Sequence, residues 1–133
     1  QALESGCEVA LGTRHGSGRG GHAASAGAQR TLLSRIFLAL ANRVLLHPVS
    51  DSQCGFKGFA GGAAQRIFGA LSVQRFCFDV EAILIAQQSN CRVCEVSVKL
   101  VNADSSSVRV GRDGLRMLAD LARIYARRRL SSV

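Results

Sequence analysis

No run of this sequence is apolar for long enough to span a bilayer: the longest, residues 36–41, is closed by Asn42 and Arg43, far short of the roughly 18 residues a crossing requires. Tryptophan is absent and aromatic residues make up only 5%. That leaves few platforms on which bases could stack, and no nucleic-acid partner is expected. Carboxylates are missing altogether between Glu8 and Asp51, a stretch that holds Arg14, Arg19, Arg30, Arg35 and Arg43. Guanidinium groups without a nearby acid ask for an anion, either phosphate or an acidic membrane face. A second cysteine pair at zinc-site spacing is lacking too. Cys91 and Cys94 form a lone C-x-x-C on a segment that reads as a strand, while Cys7, Cys54 and Cys77 are scattered. So odd and sparse a set predicts free thiols in a reducing compartment rather than a disulfide framework or a metal centre.

What is present is the composition of one globular unit. Of 133 residues, 47% are hydrophobic and 20% charged, enough apolar surface for a core but not for a second domain. The net charge of +8 gathers in the acid-free stretch and again over residues 109–129, where seven arginines face Asp113 and Asp120 alone. The chain opens on Gln1 rather than Met and runs almost at once into a strand, which predicts a piece whose N-terminal portion lies elsewhere.

Val9, Ala10 and Leu11 read as a buried strand ended by Gly12. Residues 15–27 are small or polar apart from Arg19 and two histidines, the composition of a mobile loop. From Ala28 to Leu46, Leu33, Phe37, Leu40 and Val44 recur at helical steps until His47 and Pro48 stop them. Arg30 and Ser34, four apart, share one face of that helix. A strand-and-turn segment follows at 51–59, then a short helix over 63–71. Asp79 stands where an N-cap belongs, with Glu81 in the first turn of a helix reaching about Gln88. Alternation over 92–101 predicts a strand with one wet face. The last helix, about 111–129, puts Leu115, Leu118, Leu121, Ala122 and Tyr125 on one side and Arg112, Arg116, Asp120, Arg123 and Arg127 on the other. The fold class is α/β, a mixed sheet flanked by helices.

Gly16-Ser17-Gly18-Arg19-Gly20-Gly21 satisfies G-x-G-x-x-G, but no helix starts inside it and the next carboxylate is Asp51, so a dinucleotide site is not supported. Residues 51–59, DSQCGFKGF, crowd Asp51, Gln53 and Lys57 around Gly55 in apolar company, and such groups are costly to bury without use. Residues 76–81, FCFDVE, place Asp79 and Glu81 beside aromatics; a site role and a helix-cap role both suit them. Arg14, Arg30 and Ser34 bracket the 15–27 loop with two guanidinium groups and a hydroxyl. A guanidinium grips phosphate oxygens through paired hydrogen bonds, whereas solvated surface arginines are the plainer reading.

Taken in order, Gly12-Thr13-Arg14, Arg30-x-x-x-Ser34, DSQCGFKGF, FCFDVE, Glu95-Val96-Ser97-Val98 and residues 117–121, MLADL, resemble the second half of the dolichyl-phosphate β-glucosyltransferase family. These are family 2 glycosyltransferases of GT-A fold. The likeness runs along nearly the whole chain. It implies that residues 1–133 form the acceptor half of a GT-A domain in an inverting hexosyltransferase. UDP-glucose would be the donor and dolichyl phosphate the acceptor, at the cytoplasmic face of the endoplasmic reticulum membrane in protein N-glycosylation. It implies that Arg14, Arg30 and Ser34 bind the acceptor phosphate, that Asp51 is the active-site aspartate, and that Gln53, Lys57, Asp79 and Glu81 are candidates for support. A divalent metal, Mg or Mn, is expected through a D-x-D motif outside this chain, with no metal ligand inside it. The piece alone is therefore expected to be inactive. A mannosyl or polyprenyl-phosphate relative, or a non-catalytic basic fragment that binds anions, are the alternatives. Relatives often carry Ser-Lys after the last strand, where this chain has residues 105–109, SSSVR, so the role of that loop stays open. The closing basic helix reads either as a packing helix or as one lying on an anionic membrane.

Overall fold

A computed structural model describes residues 2–13, 28–74, 77–98 and 112–130. The centre is β1 (Val9–Thr13), buried along its whole length, as expected of a strand covered on both faces. On one edge β2 (Lys57–Phe59) pairs antiparallel, and on the other β3 (Val93–Ser97) pairs parallel, so the sheet is mixed with order β2-β1-β3. Ala10 sits opposite Gly58 on one side and Cys94 on the other.

Among the described residues four helices accompany the sheet: α1 (Ala28–Val44), α2 (Gly61–Ala70), α3 (Phe78–Gln88) and α4 (Arg112–Leu130). Val9 and Leu11 join Ala41, Val44 and Leu45 from α1 and its exit, Ile67 from α2, Val80, Ile83 and Leu84 from α3, and Leu121 and Ile124 from α4 in one apolar core. At about 25 cal/mol per Å² of apolar surface removed from water, this shared core is the main source of stability.

The expected helix over 28–46 ends at Val44, and the reason is tertiary. Arg128 Nη1 donates to the carbonyls of Arg43, Val44 and Leu45 at 3.2, 2.7 and 2.9 Å. Gln87 Oε1 accepts from the amides of Leu46 and His47 at 2.9 and 3.2 Å. Arg128 thus takes over the orphan carbonyls of the helix end, and Gln87 holds the two amides that follow it. The 63–71 helix starts two residues earlier, at Gly61, and ends at Ala70. The 92–101 strand is seen as Val93–Ser97, with Val98 still donating to the Thr13 carbonyl at 3.0 Å. Residues 99–101, the 15–27 loop and the 105–109 loop lie outside the described residues.

Two expectations are corrected. Asp79 is not an N-cap: the cap is Cys77, and Asp79 stands inside the first turn of α3. Its carboxylate is drawn instead to a buried lysine described below. The thiols are not all free either. Cys7, just ahead of β1, is disulfide-bonded to Cys94 on β3, with Cα atoms 6.0 Å apart, while Cys54, Cys77 and Cys91 are free and buried. Parallel pairing of two strands 84 residues apart in sequence, Val9 to Val93, brings those sulfurs together, and no local spacing announces it.

On α4 the face turned to the core is Met117, Leu121 and Ile124. Of the stripe read as apolar from the sequence, only Leu121 is buried; Leu115, Leu118 and Tyr125 are 72%, 47% and 39% exposed. Among the described residues no helix is long and apolar enough to cross a membrane.

Candidate active site

The carboxyl end of β1, which leads directly to Arg14, is packed against the segment carrying Asp51. Gly12 makes this contact possible. Its N–H donates to the Phe56 carbonyl at 2.8 Å, and a Cβ at this position would stand 2.9 Å from that same oxygen and 3.0 Å from Cys54 Sγ. Only glycine allows so close a backbone approach.

The stretch from 49 to 53 is fixed at several points. The Asn42 side chain, on the last turn of α1, donates Nδ2–H to the Val49 carbonyl (3.1 Å) and accepts the Val49 N–H on Oδ1 (3.0 Å). Glu95 of β3 accepts the Ser50 N–H at 2.7 Å. Asp51 is 4% exposed, and its Oδ1 accepts the Gln53 N–H at 3.2 Å in an Asx turn. Gln53 is half-buried. Ser52 is fully buried, and its hydroxyl has no hydrogen-bond partner among the described residues.

Beneath this loop lies an ion pair. Lys57 Nζ, on β2, is 3.1 Å from Asp79 Oδ1 on α3, the two side chains 7% and 16% exposed. Lys57 also donates to the Cys54 carbonyl. Burial holds the Asp79 carboxyl above its ordinary range, and the charge and hydrogen bond of Lys57 pull only partly the other way. One interaction therefore ties the DSQCGFKGF segment to the FCFDVE segment.

Glu81 does something else. Two residues on from Asp79, it points to a different side of α3, since i and i+2 do not share a helix face. Its oxygens accept the amides of Ser72 and Val73 at 2.9 and 2.7 Å and the Ser72 hydroxyl at 2.5 Å. Arg127 of α4 is 3.4 Å away. The carboxylate thus anchors the α2–α3 connection to α4.

Arg14 lies outside the described residues. Arg30 and Ser34 fall on the first two turns of α1, four residues apart, with their side chains outside the description. The structure therefore brings Asp51, Gln53, Lys57 and Asp79 together at the end of β1, and turns Glu81 away. Among the described residues no three His, Cys, Asp or Glu side chains converge as a metal site requires, so no step is assigned to a metal here. Sequence reading gave no site role to three residues that hold the Asp51 segment in place, although Gly12 and Glu95 fall within the motifs quoted above. Gly12 and Asn42 give local signals, an apolar run ended by glycine and a polar interruption of a helical stripe. Glu95 gives none, because an outward residue on a strand looks solvated until the neighbouring loop is in view.

No protein-family model and no solved structure matches the chain. Curated sequences do. A dolichyl-phosphate beta-glucosyltransferase of Dictyostelium discoideum is 34% identical over 98 residues, 74% of this chain and 30% of that protein. Its namesake in Homo sapiens is 37% identical over 98 residues, again 74% and 30%. One from Trichomonas vaginalis is 35% identical over 107 residues, 77% of the chain and 32% of the relative. The chain spans about a third of the length of the curated relatives it matches.

Proposed function

The chain is homologous to one segment of the dolichyl-phosphate β-glucosyltransferase family, and on that premise we propose that it supplies the acceptor side of an enzyme transferring glucose from UDP-glucose to dolichyl phosphate. The product would be dolichyl β-D-glucosyl phosphate, formed with inversion. The observation that carries the reading is the burial of Asp51 in a loop braced against the strand end that leads to Arg14.

The chemistry asks little of a general base. A phosphate monoester has its second pKa at about 6, so the attacking oxygen is already largely ionised near neutral pH. Positioning and charge control carry the rate. In this proposal Arg14, Arg30 and Ser34 grip the acceptor phosphate and Asp51 orients the acceptor or the sugar. The backbone N–H of Gln53 fixes Asp51, and the Lys57–Asp79 pair fixes the loop from below. A divalent ion would offset charge on the leaving nucleotide and would draw its ligands from outside the clusters described. In the intact enzyme, Arg30→Ala and Asp51→Asn are each expected to lower transfer to dolichyl phosphate by about 10²-fold or more. Full activity in both would remove the assignment.

A membrane-surface role for α4 belongs to the same reading. Leu115, Leu118 and Tyr125 are exposed on a helix that also carries Arg116, Arg123 and Arg127, the make-up of an interfacial helix beside an anionic bilayer. Leu115→Ser with Leu118→Ser is expected to weaken co-sedimentation with acidic vesicles; binding that ignores both the substitutions and the acidic lipid would remove this role.

A further inference from the structure

The C-terminal ends of α1 and α4 meet in a feature that the proposed reaction leaves unused. Arg43, Tyr125, Arg128 and Arg129 line one open cleft of about 410 Å³. No carboxylate stands among the described residues that line it. The neighbouring arginines are occupied elsewhere: Arg127 lies against Glu81 and Arg123 against Asp120.

Two of the three cleft arginines are held in place before any ligand arrives. Arg128 is fixed by the carbonyls of residues 43–45. Arg129 donates Nε–H and Nη2–H to the Tyr125 hydroxyl at 3.1 and 2.8 Å, with its guanidinium carbon 5.4 Å from the ring centroid. A preorganised guanidinium gives up little side-chain entropy when an oxyanion docks, which distinguishes it from a solvated surface arginine. Arg43 is exposed and adds a third set of donors from the other helix. The field is already felt by the phenol. Hydrogen bonding from Arg129 holds Tyr125 below its ordinary ionisation range, and the charges of Arg129, Arg128 and Arg43 act in the same sense.

We propose that this cleft is a phosphate-binding site, with Arg43 and Arg129 as the principal donors and Arg128 as the fixed wall between them. It is separate from the residues assigned to the acceptor phosphate. Arg43 and Arg30 lie near opposite ends of α1, about 20 Å apart along an axis that rises about 1.5 Å per residue. A phosphate group could reach the cleft on a lipid headgroup or as a free phosphate compound, and the chemistry that binds it is the same.

Tyr125 is the only tyrosine, and tryptophan is absent, so the chain's ultraviolet emission reports on this cleft alone. The test titrates the 133-residue chain with inorganic pyrophosphate, and separately with phosphatidylcholine vesicles doped with phosphatidic acid. Tyrosine emission is followed, with calorimetry or co-sedimentation as a second readout. Arg43→Gln and Arg129→Gln, both at exposed positions, are expected to weaken binding by at least about tenfold, the worth of a charge-assisted hydrogen bond. In the pyrophosphate titration Arg123→Gln, which removes the same charge from another face of α4, is expected to change binding less than about twofold. Circular dichroism confirms that each variant keeps its fold. Binding of pyrophosphate would identify a free phosphate compound as a sufficient ligand. Binding of the doped vesicles alone, lost in Arg43→Gln, would identify the lipid headgroup, whereas vesicle binding that Arg43→Gln leaves intact would belong to the α4 surface and overturn the proposal. Silence of Tyr125 toward both ligands, or a loss of pyrophosphate binding in Arg123→Gln equal to that in Arg43→Gln, overturns the proposal. Because pyrophosphate has no bilayer, its result is independent of whether α4 rests on a membrane.

Discussion

Gly12 is held to hydrogen by what stands across from it. The Phe56 carbonyl and the Cys54 sulfur would lie 2.9 and 3.0 Å from a Cβ, and the first of these is backbone, which cannot swing aside. Gly12→Ala must therefore push the 54–56 turn away from β1, and with it the Asp51 segment. Overpacking of this kind costs about 1–3 kcal/mol, to be read as a lower urea midpoint at unchanged slope. A variant as stable as the parent would mean that the loop yields freely and that Asp51 is less firmly placed than the contacts indicate. Asp79 supports a second residue-scale prediction. Its folded pKa is raised, chiefly by burial, so its contribution to stability is fully present below the unfolded value of about 3.9 and is lost as pH rises through the folded value. The stability of the parent minus that of Asp79→Asn should accordingly fall from about pH 4 upward and then level off. A flat difference, measured by urea unfolding across that range, would show that Lys57 fully offsets the burial.

At the scale of elements, local signals in the sequence were enough to find each described helix and the central strand: helical spacing for α1 and α4, a short apolar run for β1, and for α3 acidic residues at its start. They were not enough to say which way α4 faces. Two stripes run along that helix, Leu115, Leu118 and Tyr125 on one and Met117, Leu121 and Ile124 on the other, and only the second meets the core. The first is the more apolar-looking from the sequence because leucines dominate it. Which stripe is buried is decided by α1, whose last carbonyls bind Arg128 and so fix the rotation of α4. The same limit governs the candidate site. Asp51, Gln53 and Lys57 could be picked out because polar groups in an apolar segment are unusual, and Asp79 and Glu81 because of their place beside aromatics. That Asp79 turns to Lys57 while Glu81 braces the turn at Ser72 and Val73 depends on pairings between elements, which no spacing within one element encodes.

Across the whole molecule the Cys7–Cys94 bridge is the longest-range covalent fact, closing a separation of 87 residues. It ties the segment just ahead of β1 to β3, and those strands already pair through a full ladder from Val9 to Thr13, so it reinforces the sheet rather than creating it. Reduction is expected to lower stability by about 2–4 kcal/mol without unfolding the chain at room temperature. The remaining thiols cannot compete for the bridge in the native state. Cys54, Cys77 and Cys91 are buried, and Cys77, whose ionisation is pushed up to about 12 first by burial and then by the charges of Asp120 and Asp79, has almost no thiolate at neutral pH to act as a nucleophile. Denatured without reductant, the chain should therefore titrate three of its five cysteines. The count also bears on where the protein works. The cytoplasmic face of the endoplasmic reticulum, expected from the resemblance in the sequence, would be a reducing setting in which the two sulfurs are held as neighbouring thiols. Five reactive thiols from protein trapped in cells, against three from protein oxidised in air, would fit that location. Three in both would show that the bridge persists in use and would move the chain to an oxidising compartment.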